Sequence, residues 1–358
     1  MPENPPAWLL TTARRRILDR LRAESVHTAK LPLLAVDARA AEDAQRVMAD
    51  GGEVLVDERL RLVLLCAHPR LSREAAAALT LRLVLGVATE EIARLFLVPT
   101  ATMAARLTRA RKKLADAEFT LPVGPELAGR AGVVGDIAYL AFTAGYAPGL
   151  GTDVLRAEAA GEAIRLVRIL RAVLPGEVDR SELDALLALM LLQHARRDAR
   201  VGDGRLVLLP DQDRTRWHQD EISEAIGLLA PLTAAPAAPY LLQALIAAEH
   251  AIAPVAAATA WHRIVARYDE LLALAPTPVT RLNRAVAVGE SEGPEAGLAA
   301  LDGVALPGHR LPAVRADLLR RAGREAESRT AYDAAIALCR NEAERAHLVA
   351  RRAATGRD

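Results

Sequence analysis

The stretch ATEEIARLFLVPTATMAARLTRARKKL, residues 88–114, carries two helical patterns separated by a break. Thr89 supplies a hydroxyl that can cap free backbone N–H groups, and Glu90 and Glu91 place negative charge at the positive end of a helix dipole. Ile92, Ala93, Leu95 and Phe96 form the expected buried side of that first helix. Val98 and Pro99 end it, because a proline disfavours helical geometry in the residue before it, and Pro99 with Thr100 begins the next. In the second helix, 100–114, Met103, Leu107, Ala110 and Leu114 recur at steps of 4, 3 and 4, an apolar stripe suited to packing on the first helix. Thr102, Arg106, Arg109 and Lys113 recur at the same steps on another side. Arg111 and Lys112 lie close by, so residues 100–118 hold five cations against Asp116 and Glu118, a local balance of +3. A short turn between two helices, the second with one apolar and one basic face, is the pattern of a helix-turn-helix that enters a DNA major groove. A plain helical hairpin with a solvated basic face is the alternative for this segment taken alone.

Working outward, DERLRLVLLCAHPRLSREAAAALTLRLVLG (57–86) predicts two further helices, the second opened by Ser72 and closed at Gly86. The block from about 57 to 116 resembles the fourth domain of sigma-70 family transcription initiation factors, and within them the extracytoplasmic-function group. That resemblance implies recognition of the −35 promoter element and binding to core RNA polymerase. PENPPAWLLTTARRRILDRLR (2–22) resembles the last helix of the second sigma domain in the same group, matching at Trp8, Leu9, Leu10, Ala13, Arg14, Arg16, Asp19, Arg20, Leu21 and Arg22, with Arg15 where asparagine is usual. It implies −10 region contacts from Trp8, Arg14, Arg15 and Arg16. The family has several helices ahead of this one, and the expectation is a start codon placed too far downstream. As a charge run alone, Arg14 to Arg16 also fits a solvated face of an N-terminal helix.

The chain has 358 residues, enough for two or three domains. It is 52% hydrophobic but only 3% aromatic, which favours helices throughout and an all-α fold. A net charge of +1 confines any nucleic-acid binding to the local basic segments. Cys66 and Cys339 are too few and too scattered for a disulfide framework or a thiolate metal site, and are expected as core residues in a reducing cytosol. The polar, arginine-rich N-terminus lacks the apolar core of a signal peptide. Residues 225–248 carry no charge, yet Pro231, Pro236 and Pro239 interrupt them, so two buried helices joined by a proline-rich loop are expected rather than a membrane span.

The expected organisation is a domain 2 remnant (1–30), a linker with one short helix around 38–49 (31–56), the helix-turn-helix domain (57–118) and a helical C-terminal extension (119–358). Within the extension, helices are expected over 153–173, with Leu155, Ile164, Val167 and Leu170 inward, and over 181–195, with Leu183, Leu186, Leu187, Met190 and His194 along one side. RYDELLALAPTPVTRLNRAVAV (267–288) and AYDAAIALCRNEAERAHLVARR (331–352) align with Tyr-Asp pairs 64 residues apart, close to two tetratricopeptide units of about 34 residues each. A tetratricopeptide-like bundle over about 260–352 is the expectation, and such hairpin stacks bind peptides or proteins.

LMLLQHARRDAR (189–200), LVLLPDQDRTRWHQDEI (206–222), PYLLQALIAAEHA (239–251) and LALAPTPVTRLNRAVAV (272–288) resemble signature stretches of long-tailed extracytoplasmic-function sigma factors, whose extension regulates activity. FTAGY (142–146) departs from the family, with Thr143 and Ala144 where Asn-Glu is usual. Asp211, Asp213, Arg214, His218 and Asp220 cluster in one segment and could in principle do acid/base work. No nucleophile motif, phosphate loop or metal-ligand spacing accompanies them, so no enzyme activity, cofactor or metal is expected. Asp211, Gln212, Asp213 and Arg214 are expected instead to form an ion-paired loop locking two helices, with Trp217 packed beneath and His194 as a satisfied core histidine.

The function expected from the sequence is a cytoplasmic sigma factor without membrane attachment. Thr102 and Arg106 would face bases, and Arg109, Arg111, Lys112 and Lys113 phosphates, with Thr100 also among the expected DNA-binding residues. Promoter DNA and core RNA polymerase are the implied partners, with a regulatory protein or peptide at the extension. The alternatives are a tetratricopeptide-type scaffold with vestigial DNA binding and a conventional helix-turn-helix regulator.

Overall fold

A computed structural model describes residues 57–355 apart from Asp203. The expected domain 2 helix and the helix around 38–49 lie outside the described residues. The described chain is helical almost throughout, interrupted by a two-stranded antiparallel hairpin, β1 (Val201–Gly202) and β2 (Arg205–Leu206).

Four helices make the N-terminal part: α1 (Glu58–Cys66), α2 (Arg73–Leu83), α3 (Thr89–Leu95) and α4 (Thr100–Leu114). Asp57 caps α1 by accepting from Leu60 N, and Ser72 caps α2 by accepting from Ala75 N at 3.3 Å. Six consecutive residues of α2, Ala76 to Leu81, are buried. A helix buried all round must sit between two partners. One side of α2 contributes Ala78, Leu79 and Leu81 to a small core shared with Ile92, Ala93, Met103, Leu107, Ala110 and Leu114. The other gives Ala77 to the main core, which also takes in Leu60, Val63 and Leu64 of α1.

That main core is built by α5 (Pro125–Tyr146), α6 (Ala157–Val173), α7 (Ser181–His194), α8 (Gln219–Leu229) and α9 (Pro239–Ile252). α7 is its axis, since Leu183, Leu186, Leu187, Met190 and His194 are buried as expected, and so are Leu189, Leu191 and Leu192 on its other sides. α6 starts four residues later than the sequence pattern predicts, and Leu155 lies ahead of it. The backbone there is committed elsewhere: Arg156 N donates to Gly145 O at 2.7 Å, and Asp153 O accepts from Asn341 at 2.9 Å. No described helix is long and apolar enough to cross a membrane, and 225–248 fold as the end of α8, a loop and α9.

The C-terminal third adds α10 (Trp261–Leu274), α11 (Pro278–Ser291), α12 (Pro294–Ala300), α13 (Arg310–Arg321), α14 (Glu325–Leu338) and α15 (Glu342–Ala354). The offset of 64 carries both ends of α10 onto those of α14, and the start of α11 onto that of α15. It also carries the N-cap Thr277, which accepts from Thr280 N, onto the N-cap Asn341, which accepts from Glu344 N. Tyr268 and Tyr332 therefore sit midway along their helices rather than at the start of a hairpin.

Cys66 and Cys339 are both free thiols, and burial pushes Cys66 up to about 11 against a hydrogen bond with Thr80.

Two expectations follow. A Cβ added at Gly145 would lie 2.8 Å from Ala160 N and 3.1 Å from Arg156 O, and neither backbone atom can step aside. Gly145→Ala is expected to destabilise the protein by about 1–3 kcal/mol, read as a lowered Tm. Burial, then the charges of Arg196 and Arg214, lowers His250 to about 4 from the ordinary value 6.5. Between those values the unfolded chain binds a proton that the folded chain refuses, so this contribution to stability is present above about pH 6.5 and is lost as pH falls towards 4. Tm measured from neutral pH down to about pH 5 should fall, and less steeply in His250→Gln.

Candidate nucleic-acid interface

α3 and α4 stand against each other through the stripe foreseen in the sequence, with Met103, Leu107, Ala110 and Leu114 all buried. Thr89 is the first helical residue rather than the cap; Ala88 occupies the N-cap and no side chain caps α3. Ile92 and Ala93 are buried, while Leu95 and Phe96 are half-buried. α3 ends in Leu97, a non-glycine residue at φ 54°. Leu97 N donates to Arg94 O at 3.1 Å and Val98 N to Ala93 O at 3.0 Å, the paired bonds of a Schellman ending. This ending turns the chain so that Pro99 becomes the N-cap of α4.

α4 presents an outward face of Ala101, Thr102, Ala104, Ala105, Thr108, Arg109, Lys112 and Lys113, all exposed. Its first turn has neither an acidic residue nor a side-chain cap, and its last turn carries Arg111, Lys112 and Lys113. The free N–H groups at Thr100 and beyond, with the positive dipole end, favour an anion, and the cations suit the negative end. Thr100 and Thr102 are exposed at that open end. Arg106 is half-buried, with its guanidinium 5.7 Å from the Phe96 ring centre, and Arg109 Nε donates to Ala105 O at 3.3 Å. Arg111 is half-buried and has a partner within the protein, so Arg109, Lys112 and Lys113 are the cations standing out from α4. Trp8, Arg14, Arg15 and Arg16 lie outside the described residues.

The helix-turn-helix is tied to the rest of the chain from its α3 side. Glu91, buried, pairs with Arg156 at 3.2 Å, and Arg94 donates to Ala147 O at 3.1 Å. Arg340 reaches Glu90 at 2.5 Å, across 250 residues of sequence. Asn341 binds the same connection, donating to Pro148 O and Asp153 O. These ties hold the outward face of α4 in a fixed orientation relative to the extension.

The acidic segment of the extension is arranged differently from its sequence order. Asp213 accepts from Thr215 N and Oγ, which lowers its pKa, and Arg214 donates to His250 O and Ala253 O rather than to a carboxylate. Trp217 is buried under the Arg214 guanidinium at 4.3 Å, and Gln212 donates to Val207 O. The loop is locked by carbonyls and ring stacking, so the expected ion pairing is corrected. His218 meets Asp198 at 2.7 Å and Arg197 at 3.1 Å, while Asp211 and Asp220 stay exposed and away from it. His194 Nδ1 contacts both Glu221 and Arg197 at 2.9 Å, but its buried Nε2 has no partner, so it is satisfied on one nitrogen only. The Arg197 hub joining α7 to α8 was missed in the sequence because Asp198 and Glu221 flank the motif that drew attention.

One group of possible metal ligands appears among the described residues: His309, Cys339 and Glu344, with ligand atoms within 4.8 Å of one another. Glu344 is engaged with His309 at 3.0 Å and feels Arg310 and Arg94, charges that oppose a cation there.

Residues 61–114 match the model of the family described as Sigma-70, region 4, and residues 130–232 match a family of unknown function, DUF6596. Over 357 residues the chain is 40% identical to "Uncharacterized protein R00370" of Rhizobium meliloti (strain 1021), covering 97% of this chain and 83% of that protein. The chain belongs to one family with that protein, and residues 61–114 are similar to sigma-70 region 4. No solved structure matches it. The region 4 match spans α1 to α4 almost entirely and carries a sigma-factor-like DNA-binding role, a role that involves no catalysis by this domain. The match to the family of unknown function runs from Arg130 in α5 to Leu232, and so covers α6, α7, α8 and the Arg197 hub.

Leu97 in a left-handed conformation costs about 1 kcal/mol relative to glycine. Leu97→Gly is expected to leave Tm unchanged or raised by the relief of that strain, set against the extra freedom glycine gives the unfolded chain. Glu91→Ala, which removes the buried acid holding α3 to Arg156 and leaves that arginine only Asp153, should lower Tm in the same assay.

Proposed function

We propose that this protein is an extracytoplasmic-function type sigma factor, acting in the cytoplasm and directing core RNA polymerase to promoters whose −35 element lies under α4. In this reading Thr100, Thr102 and Arg106 approach base edges, and Arg109, Lys112 and Lys113 meet phosphates on either side of the groove, with Arg111 supporting them. Trp8, Arg14, Arg15 and Arg16 act near the −10 element. The extension, from about residue 119 onward, sets when the factor is active by contact with a protein or peptide partner through its tetratricopeptide-like hairpins. Its domain limits are those read from the sequence: 1–30, 31–56, 57–118 and 119–358.

The observation that carries this reading is the exposed face of α4 within a region 4 sequence: polar and small at its uncapped N-terminal end and cationic at the other. The major groove accepts a helix in this way, and the three protruding cations neutralise phosphates without reading sequence.

The test measures promoter DNA binding by the full chain, and its co-purification with core polymerase, across a salt series. Wild-type binding should fall steeply with salt, and Arg109→Ala with Lys112→Ala should weaken binding to all sequences and reduce the salt slope by roughly two. Thr102→Ala should instead change the preferred sequence. Operator binding with no association with polymerase would replace the sigma reading by a conventional regulator. Salt-insensitive or absent DNA binding with a peptide partner retained would leave an interaction scaffold.

A further inference from the structure

Between the helix-turn-helix and the extension lies a cavity of about 1370 Å³, walled by α5, α7, α9, α10 and α11, by the 306–310 loop, and by the α3–α4 turn. Much of the wall is aliphatic: Leu140, Leu189, Leu192, Ile246, Ala247 and Leu271. The charged side chains on it are unbalanced, with five arginines (94, 196, 200, 310 and 340) against Glu90 alone, in a chain whose overall charge is only +1. Arg94, Arg310 and Arg340 have protein acceptors or acids beside them.

Arg196 and Arg200 do not. They stand four residues apart where α7 runs out into a 3-10 turn. Neither side chain has a hydrogen bond or ion pair to any described residue, and the Arg200 guanidinium lies 4.1 Å over the Tyr146 ring. Arg200 Nε and the Tyr146 hydroxyl beside it are buried polar groups without partners. Burial, together with the like charge of Arg200 acting against Tyr146, holds Arg196 below the ordinary guanidinium value. The nearest further groups do not help: Arg214 adds another positive charge, and His250, lowered to about 4, is neutral at neutral pH. Two neighbouring guanidinium groups on the wall of a half-open, mainly apolar cavity repel each other and forgo part of the solvation they would have in water, which is tolerable where an anion completes the site. A planar guanidinium offers paired donors that fit carboxylate and phosphate oxygens.

We propose that this cavity binds an anionic amphiphile, a carboxylate or phosphate carried on an apolar body, with its head group on Arg196 and Arg200 and its body along the aliphatic wall. The volume suits a small molecule of this kind better than a bare inorganic anion, which would leave most of the cavity unfilled. Leu97, Val98, Pro99 and Thr100 of the α3–α4 turn form part of the same wall, so an occupant touches the element that orients α4. Ligand and DNA would then each alter the other's affinity by the same factor; this last clause alone rests on the DNA-binding reading.

The test is thermal unfolding of the full chain with sodium octanoate, octyl phosphate, 1-octanol and inorganic phosphate as probes. Octanoate, octyl phosphate or both should raise Tm by a few degrees in a concentration-dependent way, while octanol and inorganic phosphate should do much less. A larger shift with one head group identifies which anion the site prefers. Arg196→Gln should keep or raise the unliganded Tm, since its guanidinium has no bond to lose and its repulsion with Arg200 is removed, and should weaken binding of the favoured amphiphile about tenfold or more. Ala247→Phe, which fills the apolar wall, is a second variant and should abolish the shift independently of the arginines. The proposal is overturned if no probe shifts Tm, if octanol or inorganic phosphate matches the amphiphilic anions, or if both variants respond as wild type does. DNA binding is measured separately, so a failed sigma reading leaves this result standing.

Discussion

Burial of α2 against two cores at once is the constraint from which the rest of the architecture follows. Ala78, Leu79 and Leu81 close the core of the helix-turn-helix, and Ala77 one residue earlier closes the core of the extension. A helix-turn-helix with a single small core would be free to swing on a flexible connection. Here it shares a wall with the 130–232 region, and Leu60, Val63 and Leu64 of α1 belong to the larger core. Separating the two parts would expose apolar surface on α1 and α2 at roughly 25 cal/mol per Å². The polar ties add direction to that adhesion. Glu91 with Arg156 and Arg94 with the Ala147 carbonyl hold α3, while the face of α4 from Ala101 to Lys113 is exposed among the described residues.

The connection 147–156 is the hinge of this arrangement. Gly145 lets α5 approach α6 closely enough for Arg156 N to reach its carbonyl, and the same connection receives Arg94 and Asn341 from distant parts of the chain. Asn341 caps α15 through Oδ1 while its amide nitrogen serves Pro148 and Asp153. The last hairpin of the extension is thus bonded to the connection that holds the first helix of the helix-turn-helix. The segment between α14 and α15 thus has a short hydrogen-bonded route to α3, through Arg340 to Glu90 and through Asn341 to the connection that also receives Arg94.

What was legible in the sequence was local. The α4 stripe, the break at Pro99 and the Ser72 cap depend on neighbours within a few residues, and the structure places them where the spacing predicts. The 64-residue offset was legible for a related reason: helix ends and caps impose the same residue classes each time they recur. Thr89 misled because a threonine before two glutamates resembles a cap, whereas the chain enters α3 one residue earlier, at Ala88. The start of α6 misled because helical pattern in Leu155 is overridden by a backbone bond from Arg156 to a different helix. Asp211 and Asp213 drew attention for lying near His218 in sequence, while the partners that matter, Asp198 and Arg197, arrive from the end of α7.

The cavity was illegible for the deepest reason. HARRDAR, residues 194–200, looks in sequence like a solvated basic run, and a charge run usually is one. Only the fold reveals that its arginines part company: Arg197 turns to Glu221, while Arg196 and Arg200 turn inward towards Tyr146 and an aliphatic wall. Whether a cation is a surface ornament or a binding group depends on whether folding supplies it with an acid. Acids that pair other arginines lie one helical turn away or on the facing helix, and among the described residues none pairs with these two. A charge left without a counter-charge in a place water fills poorly raises the free energy of the empty protein, and anything negative that fits the space lowers it. The same logic bears on α4, where Arg109, Lys112 and Lys113 are exposed on the outward face. The α3–α4 turn joins the two settings, since it leads into α4 and also lines the cavity that holds Arg196 and Arg200.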